Sequence, residues 1–270
     1  MISPKDAPTN GAENGAGARV QDLNDAELAA RLAEAAGRVA LAVRDGGLLQ
    51  PRALGSAGDR LTNQFILAVL RQLRPDDGVL SEESVDTEER LSKDRVWIID
   101  PLDGTREYRE GRADWAVHVA LTIGGRPVAA AVALPSSNLL MRSDAPPAIP
   151  PSPAELRVVV SRTRPPAEAE QVAWALGARL VPLGSAGAKA AAVMTGDADI
   201  YLHAGGQHEW DNCAPVGVAL AAGLHAARLD GRPIAYNQAD TLVPDLLICR
   251  SDLADKVAAA LGGPSQIPGG

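Results

Sequence analysis

From about residue 155 onward the chain alternates short apolar runs with alanine-rich stretches, and no other feature narrows its fold as much. The runs Val158–Val160, Leu180–Pro182, Asp199–Leu202, Ala226–Leu229 and Leu246–Cys249 have strand length, and the stretches between them read as helices. Such alternation predicts a layered α/β architecture. Composition agrees. Of 270 residues, 46% are hydrophobic but only 3% aromatic, so Ala, Val and Leu must fill the interior, which suits helices packed on sheets.

The first half is organised differently. Asn24 and Glu27 form a capping box that opens a helix over Asp25 to Arg44, with Leu28, Leu32, Ala35, Val39 and Val43 on one face and Gly46-Gly47 as its stop. A second helix is expected over Asp59 to Leu73, with Leu61, Phe65, Ile66, Val69 and Leu70 inward. Pro75-Asp76-Asp77-Gly78 is turn chemistry, and the short strand Val79-Leu80 runs into Ser81-Glu82-Glu83-Ser84. Val96 to Ile99 is a compact β run broken by Asp100-Pro101, and Trp115 to Leu134 reads as a hairpin about Gly124-Gly125. Prolines 146, 147, 150, 151 and 153 mark an irregular linker over residues 143–154. The expected organisation is therefore a tail (1–20), an N-terminal α+β subdomain (21–142), the linker, a C-terminal α/β subdomain (155–262) whose last helix covers Asp252 to Leu261, and a second tail (263–270).

Charge removes several classes of function. Lys+Arg is 26 against 34 Asp+Glu, a net charge of −8, which argues against a nucleic-acid polymer as partner. An acidic enzyme can still act on a small anion when a metal ion supplies local positive charge. Cys213 and Cys249 make neither a disulfide framework nor a metal-type CxxC and read as small semi-buried hydrophobes. Met1 to Arg19 has no apolar run after a charged start, so neither a signal peptide nor a membrane anchor is expected there; the reading is a cytoplasmic protein.

The segment Trp97 to Thr105 carries the chemistry. An apolar strand delivers Asp100, and Pro101, with no N–H and a fixed φ, turns the backbone out of strand pairing so that Asp103 can come beside Asp100. Gly104 lets backbone approach a ligand, and the amides that follow can open a helix whose unpaired N–H groups favour a phosphate; Thr105 adds a hydroxyl. Two close carboxylates repel unless one keeps its proton or a cation binds between them. Oxygen ligands shared with a phosphate favour Mg²⁺. By itself Asp-Pro-x-Asp-Gly is equally an ordinary surface turn. Glu82-Glu83 and His208-Glu209-Trp210-Asp211, however, each lie where another apolar element ends or begins, and Asp211 suits the N-cap of a helix over Val216 to Leu224.

Asp100-Pro101-Leu102-Asp103-Gly104-Thr105 resembles the DPxDGT signature of the inositol monophosphatase superfamily, Ser81-Glu82-Glu83 its upstream (G/S)EE motif and Trp210-Asp211 its downstream WD motif, in family order. The resemblance implies a layered α-β-α-β-α fold with two subdomains and a site between them. It implies that Glu82, Asp100 and the Leu102 carbonyl hold one Mg²⁺, and that Asp100, Asp103 and Asp211 hold a second. It further implies that Thr105 and Glu82 orient and activate the attacking water, with Asp103 beside them, and that the Gly104 and Thr105 amides hold the phosphoryl oxygens. Asp59 matches an acidic position near a weaker third metal, or is a plain helix N-cap. Inhibition by Li⁺ is a further family expectation.

After DGT the chain reads Arg106-Glu107-Tyr108, similar to the DGT(K/R)EF of the CysQ-type 3′(2′),5′-bisphosphate nucleotidases. Ser161-Arg162 resembles their SRxH segment, where an arginine could meet a second phosphate or simply be a solvated loop residue. Gly184-Ser185 followed by Lys189 resembles the family's glycine-serine segment, which touches the sugar; the alternative is a capping serine with a surface lysine. The implied reaction is removal of the 3′-phosphate from adenosine 3′,5′-bisphosphate, and of the same group from its sulfated form, in sulfate assimilation. Alternatives are an inositol monophosphatase, a broad sugar phosphatase, or a nucleotide sensor without catalysis. A homodimer is common in relatives. Pro215 departs from the glycine common at that place in the family. His208 reads as a rim histidine, and Trp97, Trp115, Trp174 and Trp210 as core or wall residues rather than a base-stacking box.

Overall fold

The computed structural model describes residues 20–151 and 154–262, so the readings of both tails lie outside the described residues. Two five-stranded sheets carry the architecture. The first contains β1 (Gly78–Ser81), β2 (Arg95–Asp103), β3 (Ala116–Ile123), β4 (Arg126–Leu134) and β5 (Leu139–Arg142) in chain order, with β1 parallel to β2 and the rest antiparallel. The second is ordered β7 (Arg179–Leu183), β6 (Arg157–Ser161), β8 (Ile200–His208), β10 (Leu242–Cys249) and β9 (His225–Ala227). Its β7–β6–β8 part is parallel, and β10 and β9 are antiparallel.

Helices α1 (Asp25–Asp45) and α2 (Pro51–Leu73) cover the outer face of the first sheet, and the one-turn α3 (Thr105–Arg109) follows β2. Helices α5 (Ala186–Thr195) and α6 (Glu209–Ala221) lie between the sheets, while α4 (Ala167–Leu176) and α7 (Ala254–Ala260) cover the far face of the second. The layers run α-β-α-β-α, as expected. Side chains explain the order. Along β3, Val117, Val119 and Leu121 join the apolar cluster under α1 and α2, whereas Ala116 and Ala120 join the cluster around α5 and α6. Every residue of α5 from Ala186 to Met194 is buried, and its run of small side chains lets both sheets approach it. Gly217 of α6 does the same against β4, where a Cβ would stand 2.7 Å from that of Ala130.

Several expectations need correction. Helix α2 begins at Pro51, eight residues earlier than expected, because proline at the first helical position loses no hydrogen bond. Asp59 therefore lies in mid-helix and is not an N-cap, and Leu61 is 41% exposed while Ile66 and Leu70 are buried. On α1 the fully buried stripe is Leu28, Ala29, Leu32, Ala33, Ala36 and Ala40; Ala35, Val39 and Val43 sit at its edge. Strand β2 continues through Asp100-Pro101 to Asp103 instead of breaking. Trp174 is 87% exposed on α4 and is no wall residue. No helix among the described residues is long and apolar enough to cross a membrane.

Candidate active site

The register of β2 on β3 creates the site. Asp100 lies across from His118 and Asp103 across from Ala116, so three steps along β2 match two along β3. One residue is extra: Pro101-Leu102 forms a bulge. In a regular strand Asp100 and Asp103 would face opposite sides. The bulge brings both to the inner face, toward α5 and α6. Gly104 completes the turn at φ +87°, where a Cβ would come within 2.8 Å of that of Ser185.

Neighbouring elements supply the rest. Parallel β1 pairs Ser81 with Ile99, and the Glu82 N–H donates to the Ile99 carbonyl at 3.3 Å, which sets Glu82 beside Asp100. Asn63 of α2 fixes that turn: its amide donates to the Glu83 carbonyl and the Ser84 hydroxyl, and it accepts from Ser81 Oγ at 2.9 Å. Asp211 enters from α6. It occupies the third helical position rather than the N-cap, which is His208, and its Oδ2 accepts from the His208 N–H at 2.6 Å. Oxygens of Asp100, Asp103 and Asp211 all lie within 4.8 Å of one another.

The three carboxylates differ electrostatically. Asp103 is buried, which works to raise its pKa. The charge and contact of His118, the Gly187 N–H at 2.6 Å and Lys189 outweigh that and hold it below the usual range. Asp100 is wholly buried, and burial followed by the charges of Glu82, Asp103 and Asp211 pushes it far up. Its Oδ1 accepts from the Leu102 N–H at 3.0 Å, but its buried Oδ2 finds no donor among the described residues. Asp211 is pushed up to about 6, by burial and then by Asp103. Glu82 is exposed as a residue, yet loss of solvation and the nearby Asp211 bring its carboxyl to about 7.

On the α2 side, Asp59 is pushed to about 7 by burial and then by Glu83 and Glu82. Thr105 Oγ1 lies 3.5 Å from Asp59 Oδ1 and 3.3 Å from the Leu102 carbonyl. These oxygen-only donors, with Asp100 Oδ2 lacking any partner among the described residues and with repulsion helping to raise Asp59, Glu82, Asp100 and Asp211, fit a hard divalent cation.

A cavity of about 550 Å³ opens from Asp103 and Asp211. Its wall holds Gly104, Arg106, Arg162, Gly184, Ser185 and Lys189, so every residue expected to bind substrate except Thr105 lines it. Ser185 caps α5 by accepting from the Ala188 N–H at 3.0 Å. Lys189 is no surface lysine: it is 4% exposed and donates to the Gly184 and Ser185 carbonyls. Arg162 is no solvated loop residue either, since Glu107 and Glu110 hold its guanidinium at 2.7 and 2.6 Å. His208 stays at the rim, stacked on Trp210 with ring centres 4.6 Å apart. Three participants went unnoticed in the sequence. Arg164 lines the cavity; Gly187 donates to Asp103; His118 touches Asp103 from β3. Of these only His118 left a sign, as a polar residue at an inward position of an apolar strand.

Residues 22–146 and 150–262 match the Inositol monophosphatase family. A 3′-phosphoadenosine 5′-phosphate phosphatase of Mycobacterium leprae is 54% identical over 248 residues, covering 86% of this chain and 92% of that protein. The 3′(2′),5′-bisphosphate nucleotidase CysQ of Escherichia coli K12 is 29% identical over 208 residues, 70% of this chain and 81% of that one. A crystal structure of CysQ from Bacteroides thetaiotaomicron superposes with a TM-score of 0.73 at 24% identity, over 84% of this chain and 97% of that one. With the match running through both sheets and all the acidic positions of the site, the chain belongs to the inositol monophosphatase family.

Proposed function

We propose that this protein is a Mg²⁺-dependent phosphomonoesterase that removes the 3′-phosphate of adenosine 3′,5′-bisphosphate. The observation that carries the reading is the Asp100, Asp103 and Asp211 cluster, of which Asp103 and Asp211 line a cavity with a basic wall. Supporting the substrate is the 54% identity to a relative named for that activity. Two features of the wall agree with a doubly phosphorylated ligand. Arg106 and Arg164 line it without a carboxylate partner among the described residues, and Lys189 backs it from below.

Glu82, Asp100 and the Leu102 carbonyl would hold one Mg²⁺, and Asp100, Asp103 and Asp211 a second. When bound, the pair neutralises phosphoryl charge and makes a water more acidic. The chain supplies the remainder. The Gly104 and Thr105 amides face the phosphoryl oxygens. The Thr105 hydroxyl and Glu82 orient the attacking water. Asp59, with a pKa near 7 and within reach of that hydroxyl, takes the proton through it. Arg164 and Arg106 hold the 5′-phosphate, so the nucleotide is aligned with its 3′-ester over the acidic floor. A cytoplasmic, homodimeric enzyme is part of the same reading.

The test is phosphate release from adenosine 3′,5′-bisphosphate, inositol 1-phosphate and fructose 1,6-bisphosphate, each with Mg²⁺. The reading requires kcat/KM for the first to exceed the others by at least about tenfold, the factor equivalent to roughly 1.4 kcal/mol. Equal turnover of inositol 1-phosphate would overturn the substrate assignment.

A further inference from the structure

His118 lies wholly inside the protein on β3, flanked on its own face by Ala116 and Ala120. An imidazole buried among alkyl groups costs roughly 2 kcal/mol or more unless its nitrogens are satisfied. Nδ1 lies 3.1 Å from the Trp210 backbone carbonyl; Nε2 lies 3.2 Å from Asp103 Oδ2, within ion-pair distance but without hydrogen-bond geometry. A carbonyl oxygen can only accept, so Nδ1 carries the hydrogen that binds the start of α6.

The two partners belong to different halves of the molecule. Asp103 ends β2 in the first sheet. Trp210 sits on α6, immediately before Asp211, and α6 follows β8 of the second sheet. The ring therefore spans the gap across which the acidic cluster is assembled. Its seat is tight as well: a Cβ on Gly187 would collide with Nε2 and stand 2.7 Å from that of Ala116. The first turn of α5 thus stays bare of side chain at the point where the ring passes.

We propose that His118 is a positioning residue that ties Asp103 to the start of α6 and so fixes the separation of Asp103 from Asp211 to suit a divalent cation. The proposal rests on the metal-site reading above. Partners behind a ligand commonly govern affinity by ten- to a hundred-fold (roughly) when removed.

Two substitutions separate the ring's two contacts. His118→Gln places an amide near the Nε2 position and keeps a donor for Asp103. His118→Asn places one near Nδ1 and keeps a donor for Trp210. Binding of Mn²⁺ to the protein without substrate, followed by the electron paramagnetic resonance of free Mn²⁺, gives affinity independently of turnover. Both variants should weaken Mn²⁺ at least about tenfold while the metal-free Tm falls by only a few degrees. If either variant binds Mn²⁺ as the wild type does, the bridging role is wrong; a core histidine would lower Tm alone. If the wild type itself binds no Mn²⁺, the metal-site reading fails instead. Should neither variant fold, ¹⁵N spectra of the wild-type ring decide: an Nε2 resonance that shifts when Mg²⁺ is added supports the bridge, and one that Mg²⁺ leaves unmoved overturns it.

Discussion

Gly187 N–H donates a 2.6 Å hydrogen bond to Asp103 Oδ2, joining the first turn of α5 to the last residue of β2. Ala186 N–H adds a second bond, at 3.2 Å, to Oδ1. A carboxylate at a helix start is favourable by itself. Here it also aims Asp103 toward Asp211. Gly187→Ala should therefore do more than crowd the core. Overpacking of about 1–3 kcal/mol is expected from its Cβ against His118 and Ala116, together with loss of metal-dependent turnover. A normal Mg²⁺ requirement in a destabilised Gly187→Ala would count against the link.

Asp100 Oδ2 has no partner among the described residues, and burial followed by the charges of Glu82, Asp103 and Asp211 makes the carboxyl costly to ionise without a cation. Asp100→Asn keeps the shape and removes that charge. The metal-free variant should melt no lower than the wild type, yet gain no Tm on adding Mg²⁺ and lose at least about a thousandfold in kcat, the scale of an electrostatic contribution central to the transition state. Differential scanning fluorimetry with and without Mg²⁺ reads the first part directly.

The raised carboxyls set a pH dependence whose sign is opposite to that of salt-bridged acids. At pH below about 4 they are protonated in folded and unfolded chains alike. As pH rises the unfolded chain ionises freely, while Asp211 resists until about 6 and Glu82 and Asp59 until about 7. Metal-free stability is therefore lost between pH 4 and 7. Across pH 5.0 to 7.5 the wild-type Tm should fall by roughly 5 °C more than that of Asp211→Asn, and saturating Mg²⁺ should abolish the difference. Parallel curves for the two proteins without metal would contradict this.

Arg164 reaches the cavity without a carboxylate partner among the described residues, unlike Arg162, which Glu107 and Glu110 already neutralise. Arg164→Ala should raise KM for adenosine 3′,5′-bisphosphate by about tenfold or more, the worth of one charge-assisted phosphate contact. Turnover of adenosine 3′-monophosphate should change by less than about twofold. Equal effects on both substrates would remove Arg164 from the second phosphate.

Much of this was legible in the chain, and its limits have physical causes. Strand and helix periods predicted a layered α/β architecture, the family resemblance implied the α-β-α-β-α order, and the capping box at Asn24 and Glu27 is formed as expected. The start of α2 was hidden because Gln50, its N-cap, makes no side-chain capping bond, although Pro51 suits a first turn. The bulge at Pro101-Leu102 was hidden too, since only the partner register reveals the extra residue. Sequence brought Glu82, Asp100, Asp103 and Asp211 forward as acidic clusters at element ends. It could not identify Gly187 or His118, whose roles come from approach between elements distant along the chain. Nor could it tell that Lys189 is buried or that Arg162 is paired, because both depend on which wall of the cavity a loop joins.

The most direct examination of the acidic centre is an anomalous-difference map from crystals soaked in Mn²⁺. The account predicts two peaks that share Asp100, one toward Glu82 and the Leu102 carbonyl, the other toward Asp103 and Asp211, both displaced by Mg²⁺. Mn²⁺ bound only elsewhere, or no peak within coordinating distance of Asp100, would contradict it.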